Sequence, residues 1–205
     1  MKNINESLLT AAMLMVPFAG YGAVPITFES NRGQAPVGVE FLAHGDGYGL
    51  SLSAGEAALT VDGGGFRMRI AGGARRARAV PDSDSKATVN YLVGKDPRAW
   101  RRDIPSYGRI KYENVYRGID VIYYARLRQL EYDFVVKPGA RPETIGLRFD
   151  RARKVLIDDS GNLLVYLAGV AEPVRFHKPE IYQENERVEG GYVLQGSRAG
   201  FRVGN

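Results

Sequence analysis

The sequence predicts an all-β protein, an antiparallel β-sandwich of about a dozen strands with little helix. Beyond residue 24, apolar and polar residues alternate with a period of two, which is typical of strands with one wet face. The alternating runs recur about every 8–12 residues, with turn-forming residues between them. Signals for helix are confined to single turns after Pro97 and at Pro142.

The predicted strands form two series on either side of a polar gap. The first series comprises residues 37–45, 48–53, 57–63 and 66–72; the second comprises residues 87–94, 107–115, 119–125, 129–136, 145–150, 154–158, 162–168, 173–184, 187–196 and 200–205. Within the second series, residues 155–167 and 119–136 are expected to form hairpins, turning at 159–162 and around 126–129. Residues 81–85 are interpreted as a flexible joint.

The predicted organisation is one β-rich domain over residues 23–205, with residues 66–100 as a candidate small subdomain. A chain of 205 residues buries enough surface to fold without a metal or a disulfide. It contains no cysteine, which excludes thiolate catalysis, cysteine-based zinc sites and disulfide scaffolds.

The net charge of +5 is unevenly distributed. Residues 67–102 contain ten Lys and Arg against three Asp, so +7 lies in that stretch and −2 in the rest of the chain. Because this basic stretch lacks interleaved aromatic residues and a recognition helix, we do not expect nucleic-acid binding. Its most basic part, "GGARRARAV" (72–80), is interpreted as a mobile, solvated loop.

The N-terminus predicts a signal peptide over residues 1–22 and hence an exported protein, at the cell surface, in the periplasm or secreted. Lys2 is followed by an apolar run at 8–18 and then by small residues suited to cleavage. Glu6 departs from the usual positive start, and the alternatives are a short helix packed on the domain or a disordered start. The run is far shorter than the roughly 20 residues needed to span a bilayer, so no membrane span is expected.

Motifs for cofactors, metals and nucleophilic catalysis are missing from the sequence. There is no Walker A loop, no GxGxxG and no GxSxG. The two histidines, His44 and His177, are 177 − 44 = 133 residues apart, which excludes an HExxH motif. "DDSGN" (158–162) lacks the downstream glutamate of a calcium loop and is interpreted as a hairpin turn. We therefore predict no cofactor, no metal ligand and no catalytic residue; the binding residues stay unassigned.

Glu131 and Asp133 are the best candidates for chemistry. Two residues apart on a strand, they share a face, with Cα atoms about 6.6 Å apart. That spacing is compatible with the two carboxylates of a glycoside hydrolase, which we keep as one alternative. Glycoside hydrolysis needs one protonated and one ionised carboxyl group, whereas nearby Arg126, Arg128 and Lys137 favour ionisation of both. The preferred interpretation is a structural hairpin whose wet face carries these charges.

The first alternative, ranked ahead of the glycoside hydrolase, is a carbohydrate-binding module. Tyrosines cluster around the central hairpin, and exposed tyrosines on a sheet suit stacking on sugars. The cluster comprises Tyr112, Tyr116, Tyr123, Tyr124 and Tyr132, to which the single tryptophan, Trp100, is added. Core positions for most of these tyrosines are the competing interpretation.

Four stretches carry a resemblance to a known family: "YGAVPITFESNRGQ" (21–34), "VNYLVGKDPRAWRRDIPSYGRIKYENVYRGIDVIYY" (89–124), "RQLEYDFVVKPGARPETIGLRFD" (128–150) and "KPEIYQE" (178–184). In this order they resemble the N-terminal domain of bacterial exported proteins with SBBP (β-propeller-type) repeats, a domain of unknown function. The resemblance implies export, a β-rich fold and a position before repeats in a surface or secreted protein. It gives no residue a catalytic role. Relatives continue beyond the point where "FRVGN" ends, so it also implies that one sheet lacks a strand.

The expected function is therefore that of a non-enzymatic, exported structural or interaction module, supporting adhesion or assembly. Its expected partner is a protein or polysaccharide at the cell surface.

Overall fold

The computed structural model describes residues 7–14, 26–45, 48–61, 64–82, 87–126, 129–184 and 186–204. These residues form 20 strands and two single-turn 3-10 helices, Pro97–Ala99 and Pro142–Thr144. The strands are β1 (Ser7–Leu14), β2 (Phe28–Ser30), β3 (Phe41–Gly45), β4 (Tyr48–Ser53), β5 (Glu56–Val61), β6 (Gly64–Ile70), β7 (Arg78–Pro81), β8 (Thr88–Tyr91), β9 (Arg101–Tyr107), β10 (Arg109–Tyr116), β11 (Ile119–Arg126), β12 (Gln129–Val136), β13 (Gly146–Asp150), β14 (Ala152–Ile157), β15 (Leu163–Leu167), β16 (Val174–Phe176), β17 (Glu180–Gln183), β18 (Glu186–Val188), β19 (Gly190–Gln195) and β20 (Arg198–Val203).

The strands form two ten-stranded sheets in which the described pairs are antiparallel. Sheet I has the order β14-β15-β16-β1-β12-β11-β10-β7, with β17 also paired to β1 and β18 paired to β17. Sheet II has the order β19-β20-β13-β6-β5-β4-β3-β2-β9-β8. The prediction of an all-β, antiparallel fold is confirmed, although the expected dozen strands was too low a number.

The core lies between the two sheets and is rich in aromatic side chains. Phe176 of sheet I contacts Phe66 and Phe149 of sheet II, with ring centroids 6.1 and 5.3 Å apart. Phe134 of sheet I contacts Phe201 of sheet II at 5.8 Å. These edge-to-face contacts join the inner faces of the sheets, so the fold is a sandwich with one continuous hydrophobic core.

Both hairpins expected from the sequence are present. β11 and β12 pair from Ile119 to Val136, around a turn whose residues 127–128 lie outside the described part. β14 and β15 pair around the Asp158–Asn162 turn, where Asp158 Oδ1 accepts hydrogen bonds from the N–H groups of Ser160 and Asn162. The alternating sequence and the turn chemistry together determine these two elements locally.

Several strand predictions need correction. Residues 187–196 divide into β18 of sheet I and β19 of sheet II. Residues 101–107 form β9, which was not expected because Pro105 and three charged residues interrupt the apolar alternation. Residues 173–184 are not one strand: β16 and β17 are separated around Pro179, which lacks the N–H that a ladder requires. Residues 72–80 are not simply a mobile loop, since Arg78–Pro81 forms β7 on β10 and Ala77 is buried.

The candidate subdomain at 66–100 contributes strands to both sheets. β6 lies inside sheet II between β5 and β13, whereas β7 ends sheet I and β8 ends sheet II. The flexible joint expected at 81–85 falls mostly on residues 83–86, outside the described residues.

Strand β1 falls within the segment expected to be a signal peptide. Ser7–Leu14 pairs with β12 on one flank and with β16 and β17 on the other. The remaining residues of 1–22 lie outside the described part, and cleavage of this segment stays a prediction. Within the described part of the chain, no helix is long and apolar enough to cross a membrane.

Candidate functional site

Glu131 and Asp133 lie on the same face of β12, as expected, but that face is not wet. Both residues are buried, with 7% and 9% of their surface exposed. Their neighbours in the strand, Leu130, Tyr132 and Phe134, point into the core between the sheets. The interpretation of the pair as exposed hairpin charges is therefore wrong, although the hairpin itself is present.

Tyr124 on β11 completes this carboxylate cluster. It lies directly opposite Glu131 in the register, and its hydroxyl donates a hydrogen bond to Asp133 Oδ1 at 3.1 Å. Burial and the two neighbouring carboxylates raise the pKa of Tyr124, so the phenol stays protonated and acts as a donor. The Arg109 guanidinium lies 5.4 Å from the centre of the Tyr124 ring. The cluster resembles a buried hydrogen-bonded network more than an open hydrolytic cleft, so the geometry does not favour a glycoside hydrolase.

The tyrosine cluster does not form a sugar-binding face. Tyr112, Tyr123 and Tyr132 are 0–5% exposed and pack in the core with ring centroids about 6 Å apart. Trp100 lies elsewhere, with its indole N–H bonded to the carbonyl of Gly94 at 3.1 Å. The carbohydrate-binding alternative, as drawn from a Tyr-rich sheet face, is therefore wrong.

A partly enclosed cleft of about 1120 Å³ lies on the outer side of sheet II. It lies beside the turn that joins β4 to β5 and the loop that follows β6. Five arginines line this arginine cleft together with three carboxylates: Arg69, Arg75, Arg76, Arg148, Arg198, Glu40, Glu56 and Asp150. The cleft is therefore net positive by two charges, 5 − 3 = +2.

Three of these arginines form a row across adjacent strands. In the antiparallel register Arg148 of β13 lies opposite Arg69 of β6 and opposite Arg198 of β20. Directly opposite residues have Cβ atoms about 5 Å apart and share one face of the sheet. Like charges in such positions destabilise a sheet, so the row costs stability unless anions neutralise it. This cost points to a functional role for the row.

The arginines of the row differ in their partners. Arg69 donates from Nε to Glu56 Oε2 at 3.0 Å and forms a 2.9 Å ion pair from Nη2 to Asp150 Oδ2. Arg198 donates from Nη2 to the carbonyl of Thr144 at 2.8 Å. Among the residues that the structure describes, Arg148 has no carboxylate partner, and neither do Arg75 and Arg76. Three of the five guanidinium groups are thus available to a ligand.

Two sets of hydrogen bonds to the backbone fix the shape of the cleft. The Tyr116 hydroxyl donates to the carbonyl of Ala71 at 2.6 Å and accepts from the N–H of Gly146 at 3.3 Å. Burial raises the pKa of Tyr116, which keeps its hydroxyl proton in place for the first of these bonds. The loop after β6 is also anchored by the N–H of Ala74, which donates to the carbonyl of Val115 at 2.7 Å. The loop that carries Arg75 and Arg76 is consequently fixed at its start.

The cleft can bind anions, but its described lining contains no pair suited to nucleophilic or acid–base catalysis. The lining lacks histidine, and each described carboxylate that belongs to it is exposed or only half-buried. Among the described residues, no three His, Asp or Glu side chains come together to hold a metal ion. Guanidinium groups instead recognise carboxylate, sulfate or phosphate by paired hydrogen bonds.

Sequence reasoning missed this site. The excess of positive charge at 67–102 contains Arg69, Arg75 and Arg76, but Arg148 and Arg198 lie far outside it. Arg148 is a single polar residue in an alternating strand, which is the ordinary pattern of a wet face. Arg198 falls between the predicted strands 187–196 and 200–205. No local signal indicates that the three strands meet in this register.

Comparisons with known proteins place the chain in a family. Residues 28–205 match a family described as "Domain of unknown function (DUF7948)". The chain belongs to this family. The match to the DUF7948 domain begins at the first residue of β2, so it covers the arginine cleft and both sheets except β1. Searches of curated proteins and of solved structures each gave no match.

Proposed function

We propose that this DUF7948 domain is a non-enzymatic, exported interaction module that binds an acidic polysaccharide at the cell surface. The observation that carries the proposal is that Arg148, in the middle of the arginine row, and Arg75 and Arg76 line the open arginine cleft without a carboxylate partner among the described residues. Exposed guanidinium groups without carboxylate partners bind anions without the cost of breaking an existing ion pair. This gives the domain a role in adhesion or assembly.

A polysaccharide with a carboxylate on each sugar suits the row by its spacing. The three arginines stand on neighbouring strands about 4.8 Å apart, a distance comparable with the length of one sugar residue in an extended chain. A polyuronate lying across β13 and β20 would therefore present successive carboxylates to Arg148 and Arg198, while Arg69 keeps its ion pairs with Glu56 and Asp150. Arg75 and Arg76 border the same cleft and extend its positive charge.

Nucleic acid suits the cleft less well. Single strands bind on grooves that combine cations with aromatic stacking platforms. Among the described lining residues none is aromatic. The arginine cleft therefore offers charge without the stacking that bases require.

Export is supported by the N-terminal sequence, with Lys2, the apolar run 8–18 and the small residues that follow. In this proposal the domain precedes β-propeller-type repeats in a larger surface or secreted protein, as the sequence resemblance implies. N-terminal sequencing of the protein recovered from the envelope or the medium tests cleavage. An intact Met1 in that material contradicts it.

Binding is tested by titrating the purified chain with oligogalacturonate, using dextran as the neutral polysaccharide. We expect saturable binding of oligogalacturonate that weakens with salt, because exposed charges are screened over about 10 Å at 0.1 M. The double variant Arg75→Gln/Arg148→Gln is expected to lose about tenfold or more in affinity, since charge-assisted hydrogen bonds contribute about 1.5–3 kcal/mol each.

The matched control is Arg141→Gln/Arg187→Gln, which removes the same charge from two exposed positions outside the cleft. This control is expected to change the affinity less than about twofold, because distant exposed charges are largely screened. Equal losses in both double variants would mean that only net charge is recognised, and the proposal would fail.

A further inference from the structure

Strand β1 joins two parts of sheet I that have no other described connection within the sheet. On one flank are β12, β11, β10 and β7; on the other are β16 with β15 and β14, and β17 with β18. β1 pairs with β12 over seven residues, Ser7–Met13 against 130–136. On the opposite flank Ser7–Thr10 pairs with β17, and Met13–Leu14 with β16. Without a strand in this position, sheet I would be split through its middle.

The flanks of this position need a strand for two reasons. Both present backbone N–H and C=O groups whose hydrogen bonds are lost if the position is empty, and unpaired strand edges promote association. Both also carry large core side chains. Phe134 of β12, Phe176 of β16 and Ile181 of β17 are at most 1% exposed. An empty position would open the core beside these residues.

The residues of β1 are poor strand formers for so central a position. Its sequence SLLTAAML contains no Val, Ile, Phe, Tyr or Trp, the residue types enriched in strands besides Thr. Leu, Ala and Met instead favour helix. Central strands of natural sheets normally agree with their local propensity, and a disagreement of this kind marks a weak element.

β1 is also connected to the rest of the domain only through a long segment. Residues 15–27 separate it from β2, and β2 lies in the other sheet. Every described strand that β1 pairs with is more than 100 residues away in sequence, so the pairing of β1 is entirely long-range. The family match likewise begins after β1, at residue 28.

From these observations we infer that the position of β1 is a strand-acceptor site, which takes an extended segment of a partner polypeptide in place of Ser7–Leu14. The site is the same whether Ser7–Leu14 leaves with the expected signal peptide or is displaced from the intact chain. The segment adds to β12 in antiparallel orientation, by the β-augmentation that exposed sheet edges support. This site is separate from the arginine cleft, which lies on sheet II, and the inference does not depend on polysaccharide binding.

The register of β1 against β12 determines which residue types the partner segment needs at each position. Positions opposite Leu130, Tyr132 and Phe134 adjoin core residues and require apolar side chains, so the segment is apolar at every second residue. The intervening positions lie opposite Glu131 and Asp133 and accept small or polar residues. Proline is excluded, because both flanks of the segment are hydrogen-bonded.

The experiment uses the full chain with a protease site introduced within residues 15–25 and cut only after folding. The nicked protein is titrated with fluorescent peptides, and anisotropy and displacement of the native N-terminal fragment are measured. The first peptide has the sequence of Ser7–Leu14, and the second carries Leu9→Ile and Met13→Ile, which raise strand propensity at positions that adjoin the core. The matched control carries Thr10→Pro in the second peptide, at a position that pairs with both β12 and β17.

We expect the second peptide to displace the native fragment with one-to-one stoichiometry and to bind more tightly than the first. The proline peptide is expected to bind at least about tenfold more weakly, through the loss of a ladder hydrogen bond and strain in the strand. If no peptide displaces the fragment over a day in excess, or if the proline peptide binds equally well, the inference is overturned. A strand-swapped dimer of the uncut chain, seen by light scattering, would assign the site to a second copy and overturn the assignment to a partner.

Discussion

The Arg198 side chain lies over the bare backbone of Gly146, its guanidinium occupying the space where a Cβ atom of residue 146 would stand. Gly146 opens β13, and the same arginine donates to the carbonyl of Thr144 just before it. The absence of a side chain at 146 therefore determines where one end of the arginine row lies. A glycine inside a strand normally lowers stability. Gly146 leaves the space that the Arg198 guanidinium occupies.

Gly146→Ala should displace Arg198 without unfolding the domain. The obstruction is the far end of a flexible side chain, and Gly146 does not have a positive φ, so the backbone accepts alanine. We expect affinity for oligogalacturonate to fall several-fold while the midpoint of thermal unfolding stays within a few degrees. Gly191→Ala is the control, since a Cβ there meets its nearest neighbour at 4.0 Å. An unchanged affinity in Gly146→Ala would remove Arg198 from the proposed binding row.

Arg148→Gln should make the protein slightly more stable and a weaker binder. Arg148 lies between Arg69 and Arg198 in the register, so its removal relieves two like-charge contacts. Such cross-strand pairs are each worth about 0.2–1 kcal/mol, and we expect a gain of this size in the free energy of unfolding measured with urea at low salt. Arg141→Gln, at an exposed position, is expected to leave both stability and affinity unchanged. A stability loss in Arg148→Gln would show that the row is not under repulsive strain.

Tyr124→Phe should destabilise the domain without affecting the arginine cleft. The change removes the hydroxyl that donates to Asp133 and leaves a buried carboxylate short of one donor. The expected loss is about 1–2 kcal/mol in the free energy of unfolding. Tyr166→Phe on β15 serves as the control, since the Tyr166 hydroxyl has no hydrogen bond to any residue that the structure describes. If Tyr124→Phe lowered polysaccharide binding as well, the carboxylate cluster would belong to the functional site after all.

Asp158 should make stability depend on pH in the acid range. Hydrogen bonds from the Asn162 side chain and backbone, together with the Ser160 N–H and the Arg175 charge, hold the pKa of Asp158 below its ordinary value of 3.8. Because the folded-state pKa lies below the unfolded one, the contribution is complete above about pH 4 and is lost as the pH falls through the folded-state pKa. We expect the stability difference between wild type and Asp158→Asn to shrink in that window. A difference that stays constant down to the lowest pH would contradict this assignment, and NMR titration of the Asp158 carboxyl carbon would measure the pKa directly.

The sequence predicted the hairpins well because their determinants are local. The alternation of β11 and β12 and the Asp158–Asn162 turn each lie within about 20 residues. β9 was missed because Ile104 and Tyr107 are separated by Pro105, and Asp103 takes a positive φ of 54° that breaks the pattern. Residues 173–184 form two strands and not one because of a single residue, Pro179, which lacks a backbone N–H.

The alternation correctly assigned Glu131 and Asp133 to the face opposite Phe134. It could not determine their burial, because the second face of a strand is wet or covered according to what surrounds the sheet. The same limit applies to Arg69, Arg148 and Arg198. Arg69 and Arg148 occupy polar positions of alternating runs and Arg198 lies outside the predicted strands, and only the pairing of β6, β13 and β20 brings the three into one row.

The sequence alone determined the fold class, the two hairpins and the face of each strand on which a residue lies, since a period of two and a turn are properties of neighbouring residues. The tertiary structure decided which strands are neighbours and in what register they pair. Those relations join residues separated by tens to more than a hundred positions, and no local pattern records them. The arginine cleft, the buried carboxylate cluster and the place of β1 in sheet I all follow from such long-range pairing.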